Sequence, residues 1–156
     1  MARRALILAA GLGLQLLRAA PAAACDVALL LTIDVSGSID RGEYRLQVAG
    51  LAAALDDPEV AEALLLGQAA LGVVQWSGTG RQTVSIPWRR MLSPAEVADF
   101  ARRARDLPRA YTGSDTAVGE AIAFSVDQFA AVSDCRRKVI DISGDGPQNA
   151  GAALGP

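Results

Sequence analysis

Residues 27–33, Val-Ala-Leu-Leu-Leu-Thr-Ile, run apolar without interruption and then break off into Asp34-Val-Ser36-Gly-Ser38. Such a run is the pattern of a strand buried on both faces, which requires a sheet with helices packed on each side. The rest of the chain alternates strand and helix signals and supports an α/β fold with a mostly parallel sheet. Asp40 with Glu43 three residues later reads as a capping box that opens an Ala-rich helix to about Leu55. Asp56-Asp57-Pro58 interrupts it, and a short helical piece continues to Leu66. Residues 69–76 form a second buried strand, and Ser77-Gly-Thr-Gly80 turns the chain back into an alternating third strand over residues 81–88. Pro87 confines that strand to an edge or a strand end, and the hairpin makes it antiparallel to the second.

Ser93-Pro94-Ala95-Glu96 gives the next helix an N-cap, a Pro at its first position and a Glu at its third, and the helix reaches about Leu107. Another begins near Asp115, with Val118, Ile122, Val126 and Phe129 at helical spacing, and fades near Ala131. Residues 138–142 make a fourth strand that leads into Ser143-Gly-Asp-Gly146. The expected architecture is a doubly wound, Rossmann-like sheet of order 3-2-1-4 with strand 3 antiparallel. Only a loop rich in Gly, Ala and Pro follows strand 4, so the domain over residues 25–156 reads as truncated there.

The sequence contains no His. That excludes Ser-His-Asp and Cys-His catalysis, zinc sites built on imidazole, and a histidine pH switch. Residues 1–24 read as a signal peptide. Arg3 and Arg4 precede an apolar stretch over residues 5–17, and Pro21-Ala-Ala-Ala24 supplies small residues for cleavage. The apolar stretch is too short to span a bilayer, which takes about 20 residues. The mature chain is therefore expected to be exported, periplasmic or extracellular, with no membrane span. Removing residues 1–24 takes away three arginines and no acid, so the formal net charge moves from −2 to −5. A mildly acidic domain argues against nucleic acid as a partner.

Three polar segments carry the chemistry: Asp34-Val-Ser36-Gly-Ser38 after the first strand, Gly113-Ser114-Asp115-Thr116 before a helix, and Asp145 after the fourth strand. In open α/β sheets ligands bind beyond the carboxyl ends of the strands, where the strand order reverses. Every donor on offer is a carboxylate or hydroxyl oxygen, which suits a hard cation, Mg²⁺ first and then Mn²⁺ or Ca²⁺. Two carboxylates and a few hydroxyls do not fill an octahedral ion, so a position is left for a carboxylate from outside. Catalysis would need a base beside the metal-bound water, and no residue offers one.

At these residues the chain resembles the von Willebrand factor type A (vWA) family. D-x-S-x-S after the first strand is similar to that family's metal-ion-dependent adhesion site, and Gly-Ser114-Asp-Thr116 to its G-T-N-T segment. The resemblance implies Ser36, Ser38 and Ser114 as hydroxyl ligands, with Asp34 and Asp145 binding directly or through water. Thr116 is not counted as a ligand. From Asp26 to Gly151 the chain further resembles a bacterial secreted vWA-like family of unknown function. Glu43-Tyr44, Gln47, Val74-Gln-Trp76-Ser77, Ile86-Pro-Trp88 and residues 137–149 carry that likeness.

Other readings compete at several positions. D-V-S-G-S could be a plain strand-to-helix turn, and Gly113-Ser114-Asp115 a helix cap. Asp141, inside an apolar strand, is expected to be hydrogen-bonded and structural, because a bare buried charge is costly. Trp76 and Trp88 read as packing, and Arg102, Arg103 and Arg105 as a solvated helix face. Cys25 lies nine residues before Asp34 and Cys135 ten before Asp145. If the two Asp meet at the top of adjacent parallel strands, the two Cys meet at the bottom and form a disulfide in an oxidising compartment. Lipidation of Cys25 is the rival. The function expected is a metal-dependent module that binds a protein partner through an acidic side chain. The alternatives are a scaffold with a vestigial metal site and a metal-assisted hydrolase.

Overall fold

The computed structural model describes residues 25–113 and 115–151; the signal-peptide reading of residues 1–24 lies outside them. The described chain runs β1 (Val27–Asp34), α1 (Arg41–Asp56), α2 (Pro58–Leu66), β2 (Ala70–Trp76), β3 (Gln82–Arg90), α3 (Pro94–Arg105), α4 (Val118–Gln128) and β4 (Arg137–Ser143). A short 3₁₀ segment, Phe129–Val132, extends α4. The sheet order is β3-β2-β1-β4, with β1 parallel to both neighbours and β3 antiparallel to β2. Order and orientation agree with the sequence expectation.

Local chemistry explains where the elements start. Asp40 caps α1 by accepting from the amides of Gly42 and Glu43, while Glu43 accepts from the Asp40 amide, a complete capping box. Asp57 ends α1 and caps α2, with Pro58 at the first position. Ser93 caps α3 in the same way.

Helices cover both faces. On one face Ile33, Leu71, Val73 and Ile86 pack against Tyr44, Val48 and Leu55 of α1 and Val97, Phe100 and Ala104 of α3. On the other, Ala28, Leu30, Ala70 and Val74 meet Phe129 and Val132, with Trp88 and Phe124 against them. Trp88 lies against Phe129, ring centroids 5.4 Å apart, and Trp76 is buried with its indole N–H donating to the Thr32 carbonyl. Both tryptophans pack as expected. Gly72 lets Trp88 lie close to the sheet: a Cβ there would stand 3.0 Å from Leu30 and 3.2 Å from the indole.

The register of β1 on β4 ties the two ends of the sheet together. Val27 pairs with Arg137 and Ile33 with Ser143. The same offset of 110 residues brings Cys25 onto Cys135, which form a disulfide with Cα atoms 4.5 Å apart. It leaves Cys25 no free thiol for lipidation. Closing so long a loop constrains the unfolded chain by on the order of 4–5 kcal/mol in the entropic description.

Two expectations need correction. β1 is not covered evenly: Leu29 and Leu31 are half-buried, because they line an open apolar groove of about 420 Å³ between α1, α2 and the sheet. β4 has a strand neighbour on one side only among the described residues, and most of it is exposed. Asp141 is accordingly exposed, at the margin of that groove, rather than buried and hydrogen-bonded. Solvent at the sheet edge removes the cost that had argued for a partner.

Candidate functional site

β1, β2 and β4 end side by side, and the loops beyond them carry the polar residues. The ladder continues one step past β1, where the Val35 amide donates to the Trp76 carbonyl. The chain then turns through Ser36–Asp40, and the turn is closed by Asp34 itself: its Oδ1 accepts from the Ser36 amide at 2.7 Å. Ser36 Oγ lies 3.1 Å from Ser38 Oγ, and the Ser38 hydroxyl donates to Asp145 Oδ1 at 2.7 Å. Asp34, Ser36, Ser38 and Asp145 thus form one cluster at the carboxyl ends of β1 and β4. Ser114 lies outside the described residues.

Thr116, which the sequence reading set aside, joins the cluster. Its hydroxyl is buried and donates to Ser36 Oγ at 3.3 Å. The loop after β4 holds it there. Asn149 Oδ1 accepts from the Thr116 amide at 2.7 Å, and the amides of Asn149 and Ala150 donate to the Thr116 carbonyl. Gln148 Oε1 accepts from the Gly119 amide at 2.9 Å. The helix start expected near Asp115 falls instead at Val118, whose cap residue Ala117 has no side chain able to accept. Gln148, from another loop, satisfies an orphan amide of that first turn.

Arg109 is the second residue missed. Its Nη2 donates to the carbonyls of Val35 (3.0 Å) and Ser36 (2.8 Å), clamping the Asp34–Ser38 turn from outside. Buried Gln75 in β2 positions that arginine, donating to the Pro108 carbonyl and accepting from the Ala110 amide. Tyr44 adds a hydroxyl bond to the Leu107 carbonyl; burial pushes its pKa up to about 12, so it remains a neutral donor. A fully buried amide in an otherwise apolar strand was the available signal, since it must find partners somewhere.

The electrostatics of Asp34 bear on a cation. Asp34 is fully buried, and its Oδ2 has no hydrogen-bond partner among the described residues. Burial raises its pKa; bonds from Ser36 oppose that, the nearby Asp145 carboxylate raises it further, and Arg109 lowers it. Gly144 keeps the space beside the free oxygen open, since a Cβ there would stand 3.2 Å from Asp34 Oδ2 and 3.4 Å from Trp76. No group of three or more His, Cys, Asp or Glu among the described residues is placed to hold a metal ion. The donors are two carboxylates, one with an orphaned oxygen, and hydroxyls. That set fits a hard divalent cation, and the orphaned buried oxygen is the atom most in need of one.

The neighbouring proteins agree with the architecture. Over 82% of its length the chain superimposes on proximal thread matrix protein 1 from the mussel byssus, with a TM-score of 0.59 and 21% identity. It matches the vWF domain of the type V pili tip protein Mfa5 from Porphyromonas gingivalis over 81%, with a TM-score of 0.55 and 16% identity. The pilus adhesin SpaC from Lactobacillus rhamnosus GG aligns over 74% at a TM-score of 0.52 and 15% identity. The chain spans 33%, 40% and 14% of those three chains, respectively. No curated protein matches it in sequence. Residues 24–155 match the family described as Protein of unknown function (DUF1194). The chain belongs to that family, and its fold is that of a vWA-like domain.

Proposed function

We propose that the chain is a binding module that engages a protein partner through a divalent cation, Mg²⁺ first, with Asp34, Ser36, Ser38, Ser114 and Asp145 as its ligands. The observation that carries the reading is the orphaned, buried Asp34 Oδ2 facing a second carboxylate and a row of hydroxyls. A bound cation would supply an open coordination position that an Asp or Glu of the partner can occupy. The protein's own residues orient that position: Asp34 and Asp145 bring the charge, while Ser36 and Ser38 contribute neutral oxygens. Thr116 and Arg109 hold the Asp34–Ser38 turn in place. Neutral ligands leave an ion more demanding of an external carboxylate than an all-carboxylate cage would.

Adhesion is supported by the neighbours, two of which come from a pilus tip protein and a pilus adhesin. The Cys25–Cys135 disulfide supports an oxidising, exported setting. Among the described residues no helix is long and apolar enough to cross a membrane. A non-enzymatic role is favoured by the neighbours, a byssus thread matrix protein, a pilus tip protein and a pilus adhesin. Capture of periplasmic partners should require Mg²⁺, fail in chelator, and drop sharply for Ser36→Ala or Ser38→Ala. Capture that persists unchanged in chelator would sink the adhesion reading even if the ion binds.

A further inference from the structure

Six of the described arginines form ion pairs on the surface: Arg89, Arg102 and Arg103 share Asp99, while Arg90 pairs with Asp134, Arg105 with Asp56 and Arg136 with Asp26. Five form none among the described residues, Arg41, Arg45, Arg81, Arg109 and Arg137, and three of these, Arg41, Arg45 and Arg109, line one open groove of about 330 Å³. Tyr44, Pro108 and Thr112 share its walls, and no acid does. The groove adjoins the Asp34–Ser38 turn, because Arg109 also binds the carbonyls of Val35 and Ser36.

Folding accounts for Arg109, which clamps the Asp34–Ser38 turn, and gives Arg45 a bond from Nε to the Arg41 carbonyl, but it explains neither charge on α1. Arg41 occupies the first position of α1, at the positive end of the helix dipole, where a cation is unfavourable. Arg45 follows one turn later, and like charges four residues apart on a helix repel. The acids that feel these arginines, Asp34 for Arg109 and Asp40 for Arg45 and Arg109, form no ion pair with them. Asp40 feels both Arg45 and Arg109, but its Oδ1 takes the amides of Gly42 and Glu43, and Glu43 takes the Asp40 amide.

We propose that the Arg41–Arg45–Arg109 groove is a second anchoring point for the partner, a subsite that receives a further carboxylate of the same acidic peptide segment whose first carboxylate sits at the Asp34–Asp145 cluster. The proposal rests on the metal-dependent reading for that first contact only. Guanidinium groups match carboxylates as planar forks, which favours Asp and Glu side chains. The mature domain is net acidic, which disfavours a long polyanion and selects a short acidic stretch meeting a local cationic surface. Two anchors on one segment would also fix the direction in which it lies.

The test uses the full chain and a capped hexaglutamate peptide, with hexaglutamine and a sulfated oligosaccharide as comparison probes. In Mg²⁺ at low salt, hexaglutamate should bind and hexaglutamine should not. Arg41→Gln/Arg45→Gln, both in exposed positions, should weaken binding by about tenfold or more. The same variant should keep the wild-type melting temperature and its response to Mg²⁺. Equal affinity in variant and wild type would overturn the proposal, as would no hexaglutamate binding or equal binding of the sulfated probe. If chelator leaves hexaglutamate binding and its arginine dependence intact, the groove stands and the metal reading fails. If Mg²⁺ still raises the melting temperature while the arginine variant binds normally, the groove fails and the metal reading stands.

Discussion

The two ends of β1 are built in opposite ways. At its amino end the chain is closed covalently: Cys25 is bonded to Cys135, and both pack against Ala28, Leu30, Phe129 and Val132. At its carboxyl end β1 delivers a fully buried carboxylate with an oxygen unpaired among the described residues, held by hydroxyls and by loops from three different parts of the chain. The first end is arranged to stabilise the sheet. The second is arranged at some cost to stability, since a buried carboxylate facing another destabilises its own charged form. The same β1–β4 register sets both, so a strand pair locked at one end holds Asp34 beside Asp145 at the other.

The largest expected effect comes from breaking the locked end. Cys25→Ser/Cys135→Ser should lower stability by roughly 2–5 kcal/mol, a drop in melting temperature on the order of 10 °C or more. Urea unfolding of the oxidised chain against the double variant checks it. A shift of a degree or less would mean that the disulfide contributes nothing beyond the packed sheet.

A smaller effect should follow at the open end from Gln75→Leu, which keeps the volume but leaves the Pro108 carbonyl and the Ala110 amide without their partner. The expected loss is about 1–3 kcal/mol, with increased amide exchange confined to residues 107–112. Exchange that stays protected there would show that the amide does not position the Arg109 loop.

The smallest effect has an inverted sign and separates the two ends most sharply. Burial raises the Asp34 pKa above its ordinary 3.8. A carboxyl with a raised folded-state pKa contributes stability that is present below 3.8 and is lost as the pH climbs through the raised value. In metal-free buffer, Asp34→Asn should therefore melt above wild type at neutral pH and converge with it in acid. Asn retains an acceptor for the Ser36 amide, so the comparison isolates the charge. Asp40 behaves in the opposite sense, its carboxyl held low by the Glu43 and Gly42 amides, and its contribution disappears as the pH falls. A wild-type chain that melts above the Asn variant in metal-free buffer at neutral pH would show that the Asp34 charge is already compensated.

Sequence alone made one end of the molecule nearly as legible as the structure does. Given adjacent parallel strands that bring Asp34 and Asp145 together, the matched spacings from Cys25 to Asp34 and from Cys135 to Asp145 place the two Cys side by side at the other end. The D-x-S-x-S turn was legible because its residue types and its place after a buried strand are both local facts. Thr116, Arg109 and the Gln148–Asn149 clamp were not, because each acts through a partner some 30 to 80 positions away in the chain. Asp141 was misread for a related reason. An acid in an apolar strand looks the same whether that strand is covered or lies at an edge, and only the sheet order and the groove beside it decide.

The most direct test of the cation reading is calorimetric titration of Mg²⁺ into the oxidised, chelator-treated full chain, beside Asp34→Ala and Asp145→Ala. The expected result is a single site per wild-type chain, a rise in melting temperature that follows its occupancy, and loss of both signals in either variant. Titrations of wild type with no heat and no thermal shift at millimolar Mg²⁺, Mn²⁺ and Ca²⁺ would contradict it.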